Sequence, residues 1–202
     1  MSPALIFKMG VTNDLEDRIV SVLKRLRDSH PDEHFGALLV VGYDPNKISH
    51  RKSVVHPMKG VDYFEGRELE VDNPEFERAL YECMTGTSHD GAILINSYGL
   101  IIQNDTGLLF HPEAYLKARG QRGNNLAEQF GFDENVAKKV GARHLTAKGY
   151  SYEQGLVVIT LSEETGHIRK FDRGYTVSSD IVSEVERIPV SRGMHLRYRR
   201  VG

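Results

Sequence analysis

The chain has almost no cysteine: Cys83 is the only one in 202 residues. A single thiol excludes an internal disulfide framework and fits a reducing compartment. Long apolar runs are also missing. None approaches the roughly 20 residues needed to cross a bilayer, and "MSPALIFKMG" has too short an apolar core for a signal peptide. A cytoplasmic protein with no membrane partner is expected. Charge of one sign is not in excess either: 26 Lys and Arg stand against 28 Asp and Glu, a formal net charge of −2. That balance gives no global pull toward nucleic acid, and the basic tip "RYRR" reads as a solvated chain end. Internal repeats, low-complexity tracts, a P-loop, a kinase loop and a glycine-rich dinucleotide fingerprint are all absent.

What is present is a soluble, globular composition, 27% charged and 40% hydrophobic, of a length that suits one domain. "TNDLEDRIVSVLKRLRDSH" places Leu15, Ile19, Val22, Leu23 and Leu26 at helical spacing, with Thr12 or Asn13 as N-cap. "HFGALLVVGYD" predicts a buried strand ended by Asp44-Pro45-Asn46. Residues 47–70 read as loop with one short strand. "NPEFERALYECM" predicts a helix capped by Asn73 with Pro74 at its first position, with Cys83 on its buried face. "AILI" and "LII" flank Ser97-Tyr98-Gly99 as a hairpin. The stretch 111–140 reads as an insert with short helical patterns in "NNLAEQFG" and "DENVAKKVG", the second closed by Gly141 as C-cap. "GLVVITL", "SEETG" and "HIRKF" form a second hairpin. The alternation predicts an α/β single domain, a mixed central β-sheet flanked by helices. It divides into a helical segment 1–33, a core 34–172 and a tail 173–202, within which "MHLRYRRV" alternates like an edge strand.

Three polar clusters fall at the ends of these elements: His89-Asp90-Gly91, Arg143-His144 and Ser162-Glu163-Glu164. Each also has a plain structural use, as a turn, as cations after a helix end or as a hydrophilic hairpin loop. Taken together they hold the parts of a phosphoryl or nucleotidyl transfer site. Asp90 and His89 can hold a divalent metal, with Glu163 or Glu164 completing the shell; Asp90 can instead accept a proton from an attacking hydroxyl. Arg143 with His144 offers positive charge to phosphate oxygens. Ser162 is a short hydroxyl donor, and Gly91 permits a close approach to the backbone. His111 is placed to reach the site from the loop after the first hairpin, whereas His167 and His195 read as surface groups.

The order "HDGA", then "G-x-R-H", then "SEETG" resembles the diadenylate cyclase (DAC) family, from "FGALLVV" to about Phe171. The resemblance implies a DAC-like fold and a reaction in which two ATP condense to cyclic di-AMP and two pyrophosphates. It implies that Asp90 engages the ribose 3′-hydroxyl and metal, with Gly91 and Ala92 against the nucleotide. His89 and Glu164 match positions that bind Mg²⁺ or Mn²⁺. Arg143 and His144 match an Arg-His-Arg motif that grips phosphates, and Ser162 and Glu163 face the nucleotide. It further implies a homodimer or higher homo-oligomer, since two ATP-loaded sites must face each other. By this resemblance Asp90, Arg143 and His144 are the catalytic set.

The chain departs from the family at two points. Leu145 stands where the motif has its third arginine, and Ala142 where a threonine is usual. Lys117, Arg119, Arg122, Lys138 and Lys139 are candidates to restore the missing charge. "LFHPE" replaces a Leu-Pro-Leu-Ser-like run near the base. The alternatives to an active cyclase are a catalytically weak or inactive nucleotide-binding sensor of the same fold, and a nucleotidyltransferase acting on a different nucleotide.

Overall fold

The computed structural model describes residues 4–46, 54–57, 70–71, 73–85, 91–109, 111–119, 126–132, 140–181 and 185–186, the backbone alone for 4–13, 54–57, 114, 117–119 and 126. The apolar runs seen in the sequence become the centre of the sheet. Strand β1 (Ala37–Val41) is buried at all five positions and lies between β3 (Ala92–Ile95) and β5 (Val157–Leu161). Outward from these lie β4 (Ile101–Leu108) and β2 (Val54–Pro57) on one side, β6 (Ile168–Asp172) and β7 (Tyr175–Ser179) on the other. The seven-stranded order is β2-β4-β3-β1-β5-β6-β7. β1 and β3 run parallel and the other neighbours antiparallel, so the sheet is mixed. β7 comes from the stretch read as tail; "MHLRYRRV" lies outside the described residues.

Successive strand residues point to opposite faces, and both faces are covered, which is why the central strands are apolar throughout. On one face, Leu39, Val41, Ile93, Ile95 and Ile159 pack against Leu15, Ile19 and Leu23 of α1 (Ala4–Ser29) and Phe76 and Leu80 of α2 (Pro74–Thr85). On the other, Leu38, Val40, Leu94, Val158 and Phe171 pack against Tyr115 of α3 (Pro112–Arg119), Ala127 of α4 (Leu126–Gln129), and Ala147 and Tyr150 of α5 (Ala142–Gln154). Each such large side chain contributes roughly 1.5–3 kcal/mol by leaving water.

The helix caps confirm one expectation and correct two. Asn73 Oδ1 accepts from Glu75 N at 2.9 Å, the N-cap of α2. α1 begins at Ala4 rather than at Thr12 or Asn13, because "ALIFKM" contains no breaker and favours helix. Gly141 has φ −87° and ψ 180°, and is the extended N-cap of α5 rather than the C-cap of a preceding helix. Residues 133–139, the rest of that expected helix, lie outside the described residues.

Charged ties fix the layers. Lys170 on β6 reaches Glu16 of α1 at 3.1 Å; burial pushes the Glu16 carboxyl above its ordinary range while Lys170 draws it back. On the opposite face Lys148 of α5 is fully buried, its ammonium 2.6 Å from Glu186 Oε2 and 4.6 Å from the Phe132 ring centre. The same carboxylate oxygen accepts from Thr176 N at 2.7 Å, clasping the segment after β7 onto the sheet.

A bulge shapes the β3–β4 pair. Ala92 is opposite Thr106 but Leu94 is opposite Gln103, and Asp105 takes φ +49° in the extra residue. A Cβ on Gly91 would run into the backbone of Asp105 and Thr106. The close approach expected at Gly91 is thus made by the chain's own β4. We predict that Gly91→Ala lowers stability by about 3 kcal/mol, read from the urea midpoint. An unshifted midpoint would show that the bulge yields at no cost.

Candidate functional site

The strand register gathers one end of the sheet. Ala37 is opposite Leu161 and Ala92 opposite Thr106. The starts of β1 and β3 therefore lie beside the ends of β5 and β4. A cleft of about 800 Å³ opens there, lined by His34, Leu38, Thr106, Gly107 and Leu108, by Gly141 to His144 with Thr146, and by Ser162, Glu163 and Glu164. Its size falls in the roughly 300–1,000 Å³ range of small-molecule sites.

The N-terminus of α5 forms one wall. No side chain caps Gly141, and the first turn of a helix carries backbone donors and a partial positive charge that favour anions. Arg143, in that turn, passes across Gly36: a Cβ on Gly36 would collide with the guanidinium. Arg143 Nη1 stands 3.7 Å from Glu163 Oε2, so the cation and one acid of the third cluster face each other. His144 is 3% exposed, and its Nε2 lies 3.0 Å from Nη1 of the buried Arg169 on β6. Leu145 turns the other way and packs against the apolar core on that face of the sheet. Thr146 returns to the cleft and brings a hydroxyl one turn beyond Ala142.

The opposite wall is the β5–β6 turn. Ser162 N donates to His167 O at 3.0 Å and Gly166 N to Ser162 O at 2.8 Å. Gly166 takes φ +66°, the left-handed conformation that glycine adopts freely. Ser162 Oγ is turned inward to accept from Thr165 N at 3.3 Å, while Glu163 and Glu164 remain exposed. α1 holds this loop from behind: Arg27 Nη1 donates to Gly166 O at 3.2 Å and to Asp180 Oδ2 at 2.8 Å.

Of the residues singled out in the sequence, Arg143, His144, Ser162, Glu163 and Glu164 converge on this cleft. Gly91 and Ala92 do not line it. Ala92 is wholly buried in the sheet, directly opposite the lining residue Thr106. His89 and Asp90, which precede them, lie outside the described residues, as do the side chains of Lys117, Arg119, Arg122, Lys138 and Lys139. His111 is turned aside from the cleft: its backbone and its Nδ1 both bond Glu153 at 2.8 Å.

Sequence reasoning missed His34, Gly36, Thr106, Gly107, Thr146 and Arg169. Gly36 was visible only as a glycine before a strand, and the β4 residues reach the cleft through a bulge that leaves no periodic signal. Among the described residues, no group of three or more His, Cys, Asp and Glu stands together to hold a metal ion. The Glu163 and Glu164 carboxylates at the edge are nevertheless the hard oxygen donors that Mg²⁺ and Mn²⁺ prefer. No helix among the described residues is long and apolar enough to cross a membrane.

Comparison with known proteins places the chain in a family and a fold. The model of the family described as DisA bacterial checkpoint controller nucleotide-binding (DAC) matches residues 27–176. A diadenylate cyclase of Methanocaldococcus jannaschii is 24% identical over 151 residues, which are 75% of this chain and 40% of the relative. The chain thus spans about two fifths of the length of that curated relative. The crystal structure of a double mutant of DacA from Staphylococcus aureus superposes with a TM-score of 0.50 at 20% identity, covering 86% of this chain and 92% of that one. That likeness shows a shared fold.

The placement of Leu145 makes a prediction. Leu145→Arg carries a guanidinium into an apolar contact and lowers stability by about 2 kcal/mol, with no gain in phosphate affinity. Unchanged stability with tighter phosphate binding would mean that the side chain at 145 reaches the cleft.

Proposed function

This chain belongs to the DisA bacterial checkpoint controller nucleotide-binding (DAC) family, and from that premise we propose that it is a metal-dependent diadenylate cyclase. One ATP sits in the cleft of each copy, and two copies face each other as a homodimer or within a larger homo-oligomer. Each ribose 3′-hydroxyl attacks the α-phosphorus of the opposite ATP. A P–O3′ bond forms, the bond to pyrophosphate breaks, and the hydroxyl proton passes to Asp90 or to solvent. The second transfer closes the ring, leaving cyclic di-AMP and two pyrophosphates. One copy alone cannot close it.

The observation that carries this reading is the convergence of Arg143, His144, Ser162, Glu163 and Glu164 on one cleft with the N-terminus of a 13-residue helix. The first two and last three are about 20 residues apart in sequence, and helix α5 and strand β5 bring them face to face. Such transfers need alignment of the attacking oxygen and neutralisation of phosphate charge more than covalent help from the protein. Arg143 and the helix end provide the charge, while Ser162 and Glu163 border the nucleotide. In this reading Glu164 holds a divalent Mg²⁺ or Mn²⁺ ion with His89 and Asp90. When bound, the ion offsets phosphate charge and activates the attacking oxygen.

A second reading keeps the nucleotide and drops the chemistry: a sensor that binds ATP without cyclising it. It is favoured by Ala142, which lines the cleft without a hydroxyl, and by Leu145, which faces the core. Incubation of the full chain with ATP and Mn²⁺, followed by mass spectrometry, separates the two. The cyclase reading expects cyclic di-AMP and pyrophosphate, abolished by Asp90→Asn. Gly36→Ala should keep the fold, since the flexible end of Arg143 must swing away and Glu163 Cβ need give only slightly, and should lower turnover about tenfold to a hundredfold through loss of the Arg143 contact. Tight ATP binding with no product would select the sensor.

A further inference from the structure

Among the described residues Arg169 has the bulkiest of the fully buried side chains, at 1% exposure. It stands on β6, where Ile168 and Lys170 face α1 while Arg169 and Phe171 face α5. A guanidinium is rarely sent to the interior unless something there holds it. One group it meets is His144 in the cleft wall: Arg169 Nη1 donates to His144 Nε2 at 3.0 Å.

The chemistry of the two groups fixes the proton. A guanidinium has five N–H donors, no acceptor, and keeps its charge in proteins. The imidazole nitrogen facing it must therefore present a lone pair. A ring with bare Nε2 is neutral and carries its proton on Nδ1, the reverse of the tautomer that free histidine prefers in water. Arg143 is the next residue along α5, so a protonated His144 would put three positive charges side by side, two of them no more than 3% exposed.

We propose that Arg169 is a positioning residue of the cleft: it locks His144 as the neutral Nδ1–H tautomer in a single ring orientation. Arg143 then supplies the charge at the cleft surface, and His144 supplies a rigid, uncharged wall beside it. Leu145, where a second surface guanidinium was expected, faces the core; the cation that matters next to His144 comes instead from behind, out of the neighbouring strand. The nucleotide arm of this proposal rests on the ATP reading of the cleft, whereas the tautomer arm does not.

The test is a long-range ¹H–¹⁵N spectrum of the full chain with labelled histidines, recorded without nucleotide and assigned by the signal lost in His144→Gln. His144 should show a protonated Nδ1 and a bare Nε2. Arg169→Met should abolish that pattern, and Arg169→Lys, which keeps one donor, should retain it. In parallel, ATP titration should weaken about tenfold in Arg169→Met and recover most of the loss in Arg169→Lys. A wild-type His144 protonated at Nε2, or an Arg169→Met spectrum identical to wild type, overturns the proposal. If Arg169→Met does not fold, the wild-type and Arg169→Lys spectra decide it alone. A wild-type spectrum as expected with no ATP binding would defeat the nucleotide reading of the cleft and leave the His144 lock standing.

Discussion

Everything at the cleft depends on β1 being dry on both faces. Its five buried residues pair in parallel with β3 and antiparallel with β5. That register forces Gly36, the turn after β5 and the start of β3 to one end of the sheet. Shifting β1 by one residue would exchange its two buried faces, and the helices on either side would lose their partners. In open parallel sheets ligands gather at the carboxyl ends of strands. Here the antiparallel neighbours reverse that geometry, and the cleft opens where β1 and β3 begin.

The cleft walls are held by residues that do not themselves line it. Arg27 of α1 grips the turn carrying Ser162 and the two glutamates. The β4 bulge, admitted by the bare backbone of Gly91, swings Thr106 to Leu108 into place. Arg169 backs His144 from the next layer. The surface therefore spends its flexible, charged side chains on the opening, while rigid groups behind set their directions. Such preorganisation is what electrostatic stabilisation of a transferring phosphoryl group requires.

Much of this was legible in the sequence. "ALLVV", "AILI" and "VVIT" could be assigned because strands covered on both faces are apolar without interruption, and α2 because Asn73-Pro74 is a strong start signal. The three polar clusters were found because each interrupts or follows such an element. Less local facts were hidden. Gly141 fits either end of a helix, and only the tertiary path makes it an N-cap. "HIRKF" reads only as a hairpin arm, and nothing in it marks Arg169 as buried, because its partner lies 25 residues back on α5. By resemblance Leu145 is a gap in a phosphate-binding motif; the turn of the helix packs it, half-buried, against the core.

The clasp between Lys148 and Glu186 bears on how such a chain can change over evolutionary time. The family match stops at residue 176, so the stretch beyond it looks open to drift. Yet an ammonium with no access to water sits inside the matched region and takes its counter-charge from ten residues past the boundary. Inserting or deleting residues between β7 and Glu186 would move that carboxylate away from the very helix whose first turn forms the cleft. Inheritance of the cleft therefore reaches past the recognisable domain, and Lys148 and Glu186 should be lost or kept as a pair.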